Sequence, residues 1–354
     1  MSVGQVWLVI KQEFRIRLRT GRWRWLIGGW VVLLAVFTFL LDIGLDTGYG
    51  YVPDDSLRGV PLFGFLMFFI LGVMLVISPA LTSQTINGDR ERGTLATLQV
   101  TRLRPAEIAV GKLLAGWGVG LVALALSIPF AGYAMAQGGI TVVRMLAVYG
   151  VVALLIGVVC AVSQGLSALL ARSITSALLS YLTTAALAVG TLVAFAIAIP
   201  LTEERSYVDA EYGGYYTYQT HEERVWWLLA PNPFVILADA APRVPPKITR
   251  DGEIIRIDDY DPLSQISRQV RALRRGPDYG YYYGYGTPAC VDVQITPENP
   301  GRVSECAEPA PPPDLPVWPY GVAFSALLGV GALVVTTLRL RTPTHRLSKG
   351  VRVA

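Results

Sequence analysis

The chain has 354 residues, of which 53% are apolar and 16% charged, with a mean hydropathy of +0.46 and a formal net charge of +4. Soluble domains usually carry about 25% charged residues, and the apolar residues here fall in long charge-free runs. This composition excludes a soluble globular enzyme, a disordered scaffold and a small disulfide-stapled domain, and it indicates a membrane protein.

Six apolar runs approach or exceed the roughly 20 residues that a helix needs to cross a bilayer. None alternates polar and apolar residues, so we expect helices rather than a membrane β-barrel. The predicted fold class is an all-α polytopic membrane protein with six transmembrane helices. The runs cover 25–41, 59–88, 113–143, 145–171, 173–202 and 315–338. The predicted regions are 1–22, 23–200 with spans one to five, 201–316, 317–338 with span six, and a basic tail, 339–354.

The first region, 1–22, is predicted to be an amphipathic elbow helix on the membrane surface. One face repeats every three or four residues and carries Val3, Trp7, Ile10, Phe14 and Leu18. An aromatic face opposite basic side chains suits the headgroup region. The alternative is a merely basic lead-in to span one.

Basic and acidic connecting segments alternate along the chain. The N-terminus, the loop after span two and the tail are basic, whereas 201–316 holds 11 Lys/Arg and 18 Asp/Glu. The positive-inside rule therefore places both termini in the cytoplasm and 201–316 outside, with Arg144 as the one exception. We expect a multi-pass protein of the cell membrane, bacterial in origin, with nucleic acid a poor candidate partner.

The apolar runs have no ionisable residue at depth, and both histidines, His221 and His345, lie outside them. Ion-driven transporters and intramembrane metalloenzymes need such groups. The sequence also lacks the Walker A phosphate-binding motif. We therefore expect no catalytic residue, metal or cofactor in this chain, and any nucleotide-driven motor must be a separate polypeptide.

The loop after span two, 86–107, is the most informative segment. A charged turn runs from Asp89 to Gly93, and Thr94 can cap a short helix that follows. Pro105 is typical of a helix start, and Glu107 in that first turn complements the helix dipole. This pattern predicts a short element held between two spans and able to press into a groove on a partner; the alternative is an ordinary solvated loop. The candidate contact residues are Asp89, Arg90, Glu91, Arg92, Gly93, Thr94, Leu95 and Leu98.

Span three begins with small residues at steps of four and five, namely Gly111, Ala115 and Gly120. Small residues let membrane helices approach closely. We expect them to be helix-packing positions.

This region resembles the coupling segment of ABC-type-2 exporter permeases. The order of an amphipathic helix, six spans and a coupling segment between spans two and three is similar too, over roughly 1–200 and 317–345. The resemblance implies that two permease chains pair, as a homodimer or heterodimer, and that each docks a cassette ATPase that binds ATP and Mg²⁺. The matching residues are Glu91, Gly93, Thr94, Leu95, Leu98, Pro105, Glu107, Gly111 and Lys112.

The implied function is ATP-driven export of a lipid, an amphipathic drug or an envelope-related substrate, with the chain itself non-catalytic. Two other functions stay open. One is an envelope-directed membrane enzyme or assembly factor, and the other is a sensor coupled to the same kind of ATPase.

The region 201–316 is longer than the corresponding loop of that family. Its apolar stretch 225–240 is expected to form a re-entrant or interfacial helix, with Trp226 and Trp227 at headgroup level. Segment 261–276 is predicted to be a short helix, lying on anionic headgroups or packed within the outer region. The Tyr/Gly runs 212–218 and 279–286 are expected as surface loops or edge strands, or as stacking surfaces for a sugar or lipid.

Two of the three cysteines, Cys290 and Cys306, fall in this outward region, whereas Cys160 is expected to be a small apolar residue of span four. An oxidising exterior favours a Cys290–Cys306 disulfide, with two unpaired thiols as the alternative.

Peptide mapping without reduction tests the bridge. We expect Cys290 and Cys306 in one cross-linked peptide, and a loop of this size contributes about 3 kcal/mol in the chain-entropy model. Quantitative alkylation of both thiols before reduction would contradict it.

Overall fold

The computed structural model describes residues 2–18, 22–46, 57–95, 103–208, 215–244, 247–248, 254–255, 260–275 and 315–341. The α-helices in these ranges are α1 (Val3–Leu18), α2 (Arg22–Asp46), α3 (Gly59–Thr82), α4 (Asn87–Glu91), α5 (Pro105–Ala125), α6 (Ile128–Ala136), α7 (Val142–Leu169), α8 (Ser173–Ala185), α9 (Thr191–Ala198), α10 (Pro233–Ala240), α11 (Pro262–Arg275) and α12 (Trp318–Arg339). The strands are β1 (Glu203–Val208), β2 (Tyr215–Thr220), β3 (Lys247–Ile248) and β4 (Ile254–Ile255).

Six helical segments are long and apolar enough to cross a membrane, which confirms a multi-pass membrane protein. Spans one, two, four and six are α2, α3, α7 and α12. Span three joins α5 to α6, and span five joins α8 to α9 through a π-turn, Ala186–Gly190, before a 3₁₀ turn, Ile199–Thr202. Spans three and four start earlier than predicted, because Lys112 and Arg144 lie inside the helices as buried residues.

Consecutive spans run antiparallel, and contacts at the two ends show the alternation. At one end Leu340 packs with Ile86, Ile108 and Ala168, which joins spans two, three, four and six. At the other end the Tyr133 hydroxyl donates to Asp42, 2.9 Å away. We call the first the basic end, because it holds the connections that are rich in Lys and Arg, and the second the opposite end.

Span two forms the centre of the bundle and span five its least buried part. In the most apolar stretch of span two 61% of residues are buried, against none in span five. Phe63, Met67 and Met74 of span two are fully buried. Apolar exposure costs nothing in lipid, so close packing rather than burial from water fixes such helices.

The described chain is mostly helical, as predicted for an all-α polytopic protein, and two short hairpins lie in the region between spans five and six. Strands β1 and β2 form an antiparallel hairpin in which Glu203 faces Thr220 and Val208 faces Tyr215. A smaller hairpin pairs β3 with β4. Within the first Tyr/Gly run, 215–218 belongs to β2, where aromatic and β-branched side chains favour a strand. The second run, 279–286, lies outside the described residues.

Helix α10 occupies the C-terminal half of the predicted segment 225–240. Ile236 and Leu237 are fully buried in the same cluster as the spans, so this short helix packs into the opposite end of the bundle. The preceding residues form two 3₁₀ turns, 222–224 and 226–228. Trp226 packs edge-on against Tyr320 of span six, 5.3 Å between ring centroids, whereas Trp227 is 57% exposed.

Buried ion pairs join α11 to span four and to α10. Arg144, 2% exposed, donates to Asp261 and to the Pro242 carbonyl, 2.6 Å away. Arg144 is therefore a buried anchor at the start of span four, at the opposite end. Helix α11 packs within the region between spans five and six, the second of the two alternatives, because its Arg271 donates to the buried Asp239 of α10.

Replacing Arg144 with Met is expected to destabilise the protein by about 3–5 kcal/mol, because Asp261 would stay buried without its cation. Thermal unfolding in detergent measures the change. Arg58→Met is the matched control, since the Arg58–Asp46 pair reaches solvent and its loss should cost about 0–1 kcal/mol. Equal losses from the two variants would contradict the structural role of Arg144.

Candidate functional site

An exposed turn projects from the basic end between spans two and three. We call residues 90–94 the tip. All five are exposed, whereas residues 85–88 before them and Leu95 after them are buried. Helix α4 ends at the tip through Gly93, whose φ of +70° is a left-handed conformation that favours glycine. The tip is therefore a short charged projection fixed at both sides.

A buried lysine holds the base of the tip. The Lys112 ammonium of span three, 2% exposed, lies 2.5 Å from Glu13 Oε1 of α1 and 2.5 Å from Asp89 Oδ2 of α4. Arg92 Nη2 lies 3.1 Å from the other Asp89 oxygen. Two cations and two carboxylates thus balance, and three elements distant in sequence are joined.

Hydroxyl groups of spans four and five form hydrogen bonds with the backbone between the end of α3 and the start of α4. Ser167 Oγ accepts from the backbone N–H groups of Ile86 and Asn87, at 3.2 and 3.1 Å. The Ile86 side chain cannot accept a hydrogen bond, so span four provides the cap that α4 needs. Ser176 of span five donates to the Ser83 carbonyl, 2.7 Å away.

Glu91 links the tip to the start of span five. Its Oε1 accepts from the backbone N–H of Ser173 at 3.1 Å and from the Ser173 hydroxyl at 2.7 Å. Arg90 reaches the end of span four, with Nη1 3.5 Å from the Leu170 carbonyl. The connection from the tip to two further spans is thus made by polar side chains.

The remaining predicted contact residues are the last residue of the tip and two that follow it. Leu95 is buried against Ile86, Ile108 and Leu340 and anchors the turn. Thr94 donates to the Asp89 carbonyl, 3.3 Å away. Leu98 lies outside the described residues.

The start of span three has the expected local structure. Pro105 is its first residue, and Glu107 accepts from the Arg104 backbone N–H at 2.9 Å. Glu107 also accepts from the Ser2 backbone N–H at 2.8 Å, which ties the beginning of α1 to span three.

The small residues of span three lie at helix contacts. A Cβ on Gly111 would meet Val9 Cβ of α1 at 2.7 Å, and one on Gly120 would meet Ile156 Cγ2 of span four at 2.6 Å. Ala115 is buried. Gly116, which sequence reasoning missed, abuts Thr82 of span two.

A second buried network lies at the opposite end and was not predicted. Asp239 accepts from Ser267 and Arg271 through Oδ1, and from the backbone N–H groups of Val317 and Trp318 through Oδ2, at 2.6 and 2.7 Å. This carboxylate therefore caps the start of span six. Its only signal in the sequence was an acid within an otherwise apolar stretch.

Surface charges fix the base of the β1–β2 hairpin. The hydrogen bond from Arg224 and its positive charge lower the pKa of Glu204 below its ordinary value, and the same pair raises the pKa of Arg224. His221 Nδ1 lies 2.7 Å from Glu223 Oε1. No group of three metal-binding side chains occurs in the described part of the chain.

The cysteines add little to either network. Cys160 is buried in span four, as expected for a small apolar residue. Cys290 and Cys306 lie outside the described residues, so their disulfide stays a prediction.

Replacing Lys112 with Met is expected to release the tip, because Glu13 and Asp89 would face each other without a cation. We expect a loss of about 3 kcal/mol in stability and faster tryptic cleavage after Arg90 and Arg92. Limited proteolysis with mass spectrometry measures both sites. Lys11→Met, an exposed position on α1, should leave cleavage unchanged; a Lys112→Met protein as resistant as the parent would show that the tip does not depend on this cation.

Comparison of the chain with known protein families and with curated proteins gives no match. A functional proposal therefore has to rest on the geometry of the tip and on the resemblance carried by its sequence.

Proposed function

We propose that this chain is the membrane-spanning permease subunit of an ATP-driven ABC exporter and that a separate cassette ATPase docks on the tip. The observation that carries the proposal is the geometry of residues 90–94, an exposed charged turn between buried anchors. Because the Lys112 network and Glu91 join the tip to α1 and to spans three and five, force applied there reaches several helices.

The position of α1 supports an elbow role. Val6 and Val9 are buried, and Val9 contacts span three at Gly111, whereas Trp7 and Leu8 are exposed. An exposed aromatic and apolar surface at the end of a membrane bundle suits the headgroup region.

The orientation follows from charge. The basic end is cytoplasmic by the positive-inside rule, so both termini are cytoplasmic and the region 201–316 is extracellular. A cytoplasmic tip is accessible to an ATPase, and ATP and Mg²⁺ are bound by that partner.

The weakly buried span five offers the surface for a second permease chain. Its exposed residues include Leu182, Val189 and Ile197. A substrate that moves between two such uncharged surfaces is best a lipid, an amphipathic drug or an envelope-related molecule. Span two lies at the centre of the protomer and is less available for pairing.

Glu91→Ala tests the proposal. The chain is purified from its native membrane with the ATPase that accompanies it, and vanadate-sensitive ATP hydrolysis is measured in nanodiscs. Loss of a central contact costs more than about 1.4 kcal/mol, so we expect at least about tenfold weaker ATPase association or stimulation, with insertion and helix content unchanged.

Glu203→Ala is the matched control, because Glu203 is exposed at the opposite end. It should leave association and stimulation unchanged. Absence of a cassette ATPase from the purified wild-type protein, or full association and stimulation in Glu91→Ala, would count against the proposed role.

A further inference from the structure

Span five is attached to the rest of the protomer at few points. In the described chain, the buried residues of this span are Ser176 and Ser180, both in its first half. A helix with so little packing is positioned mainly by the polar contacts along it.

Near its start, span five is held by the segment that carries the tip. Glu91 accepts both the backbone N–H and the hydroxyl of Ser173, and Ser176 donates to the Ser83 carbonyl. All three acceptors belong to the end of span two or to α4. The first turn of span five is therefore positioned by that segment.

Further along, span five is held by Asn232, in the region between spans five and six. Asn232 Nδ2 donates to the Ala188 carbonyl in the π-turn and to Thr191 Oγ1, both at 2.8 Å. Asn232 Oδ1 at the same time caps α10, accepting from the Phe234 N–H at 2.9 Å. Span five is therefore a physical link between the tip at one end and α10 at the other.

We propose that the Glu91 carboxylate caps the N-terminus of span five in place of the Arg172 side chain. Glu91 thereby makes this helix move with the tip. Helix starts need an acceptor for their free N–H groups, and a carboxylate there also interacts favourably with the helix dipole. The preceding residue, Arg172, carries a side chain that cannot accept a hydrogen bond. Glu91 is thus a positioning residue that transmits displacement of the tip to span five and, through Asn232, to α10.

This inference rests on the proposed function, since it names how a docked ATPase moves the spans. The inference goes beyond the proposed function because it identifies span five as the helix that moves and the Glu91–Ser173 hydrogen bonds as the contact that moves it. Glu91 and Ser173 are 82 residues apart in sequence, and the link can be cut from either side.

Ser173→Pro cuts the link without changing the tip. Proline removes both donors of residue 173 and is tolerated at the first position of a helix. Arg172 already has φ −110° and ψ 131°, the extended conformation required before proline. The surface offered to the ATPase, including Glu91 itself, stays intact.

The first measurement uses the chain alone in nanodiscs and follows hydrogen–deuterium exchange over 170–182. Loss of a cap should speed exchange in the first turn of span five by about fivefold in Glu91→Ala. Adding Ser173→Pro should give no further increase, because both changes remove the same interaction. Glu203→Ala, a change at an exposed position of the opposite end, is the control and should leave exchange over 170–182 unchanged. Unaltered exchange in Glu91→Ala would overturn the assignment of the cap.

The second measurement uses the complex with its ATPase, with and without Mg-ATP and vanadate. Trapping should change exchange over 173–182 in the wild type, and Ser173→Pro should abolish this response while the ATPase stays bound and hydrolyses ATP. A full response in Ser173→Pro would overturn the inference and leave the proposed function standing. A wild-type protein without an ATPase would overturn the proposed function and the inference with it.

Discussion

The buried ammonium of Lys112 is the interaction on which the basic end depends. It lies between a carboxylate of α1 and a carboxylate of α4, so one side chain fixes two elements relative to span three. A buried charge without partners is costly, which makes this arrangement all-or-none: either both acids are in place or the lysine must reach water. The position of the tip follows from that requirement rather than from apolar packing.

Buried ion pairs also connect separate elements at the opposite end. Asp239 is satisfied by Ser267, Arg271 and two backbone N–H groups, and Arg144 joins span four to α11 through Asp261. In a bilayer, apolar side chains discriminate poorly between neighbouring helices and lipid. Specific polar contacts therefore decide how the helices are ordered, and both networks lie at helix ends where water is near.

The six spans, the helix start at Pro105 and the helix 262–275 were predictable, because run length, proline position and periodicity are local signals. The charged turn at 89–93 was likewise visible. The partners were not: Asp239 meets Val317 across 78 residues and Glu91 meets Ser173 across 82, separations that no periodicity reports. The partner of Arg144 was not predicted either, because a lone cation near a helix end looks the same in sequence whether it faces water or a buried acid. Strand β2 was one of two expected outcomes for the run 212–218, because a Tyr-rich run suits a strand and a loop alike.

The π-turn of span five constrains how this chain can evolve. One extra residue is accommodated there, between the part of the span that meets the tip and the part that meets Asn232. Inserting a further residue at 186–190, or deleting one from the α-helical parts on either side, would rotate one half of the span against the other by about 100°. Ala188 and Thr191 would then point away from Asn232 even though every apolar side chain remained suited to lipid. Substitutions should thus be tolerated in the α-helical parts of span five far more readily than changes in their length.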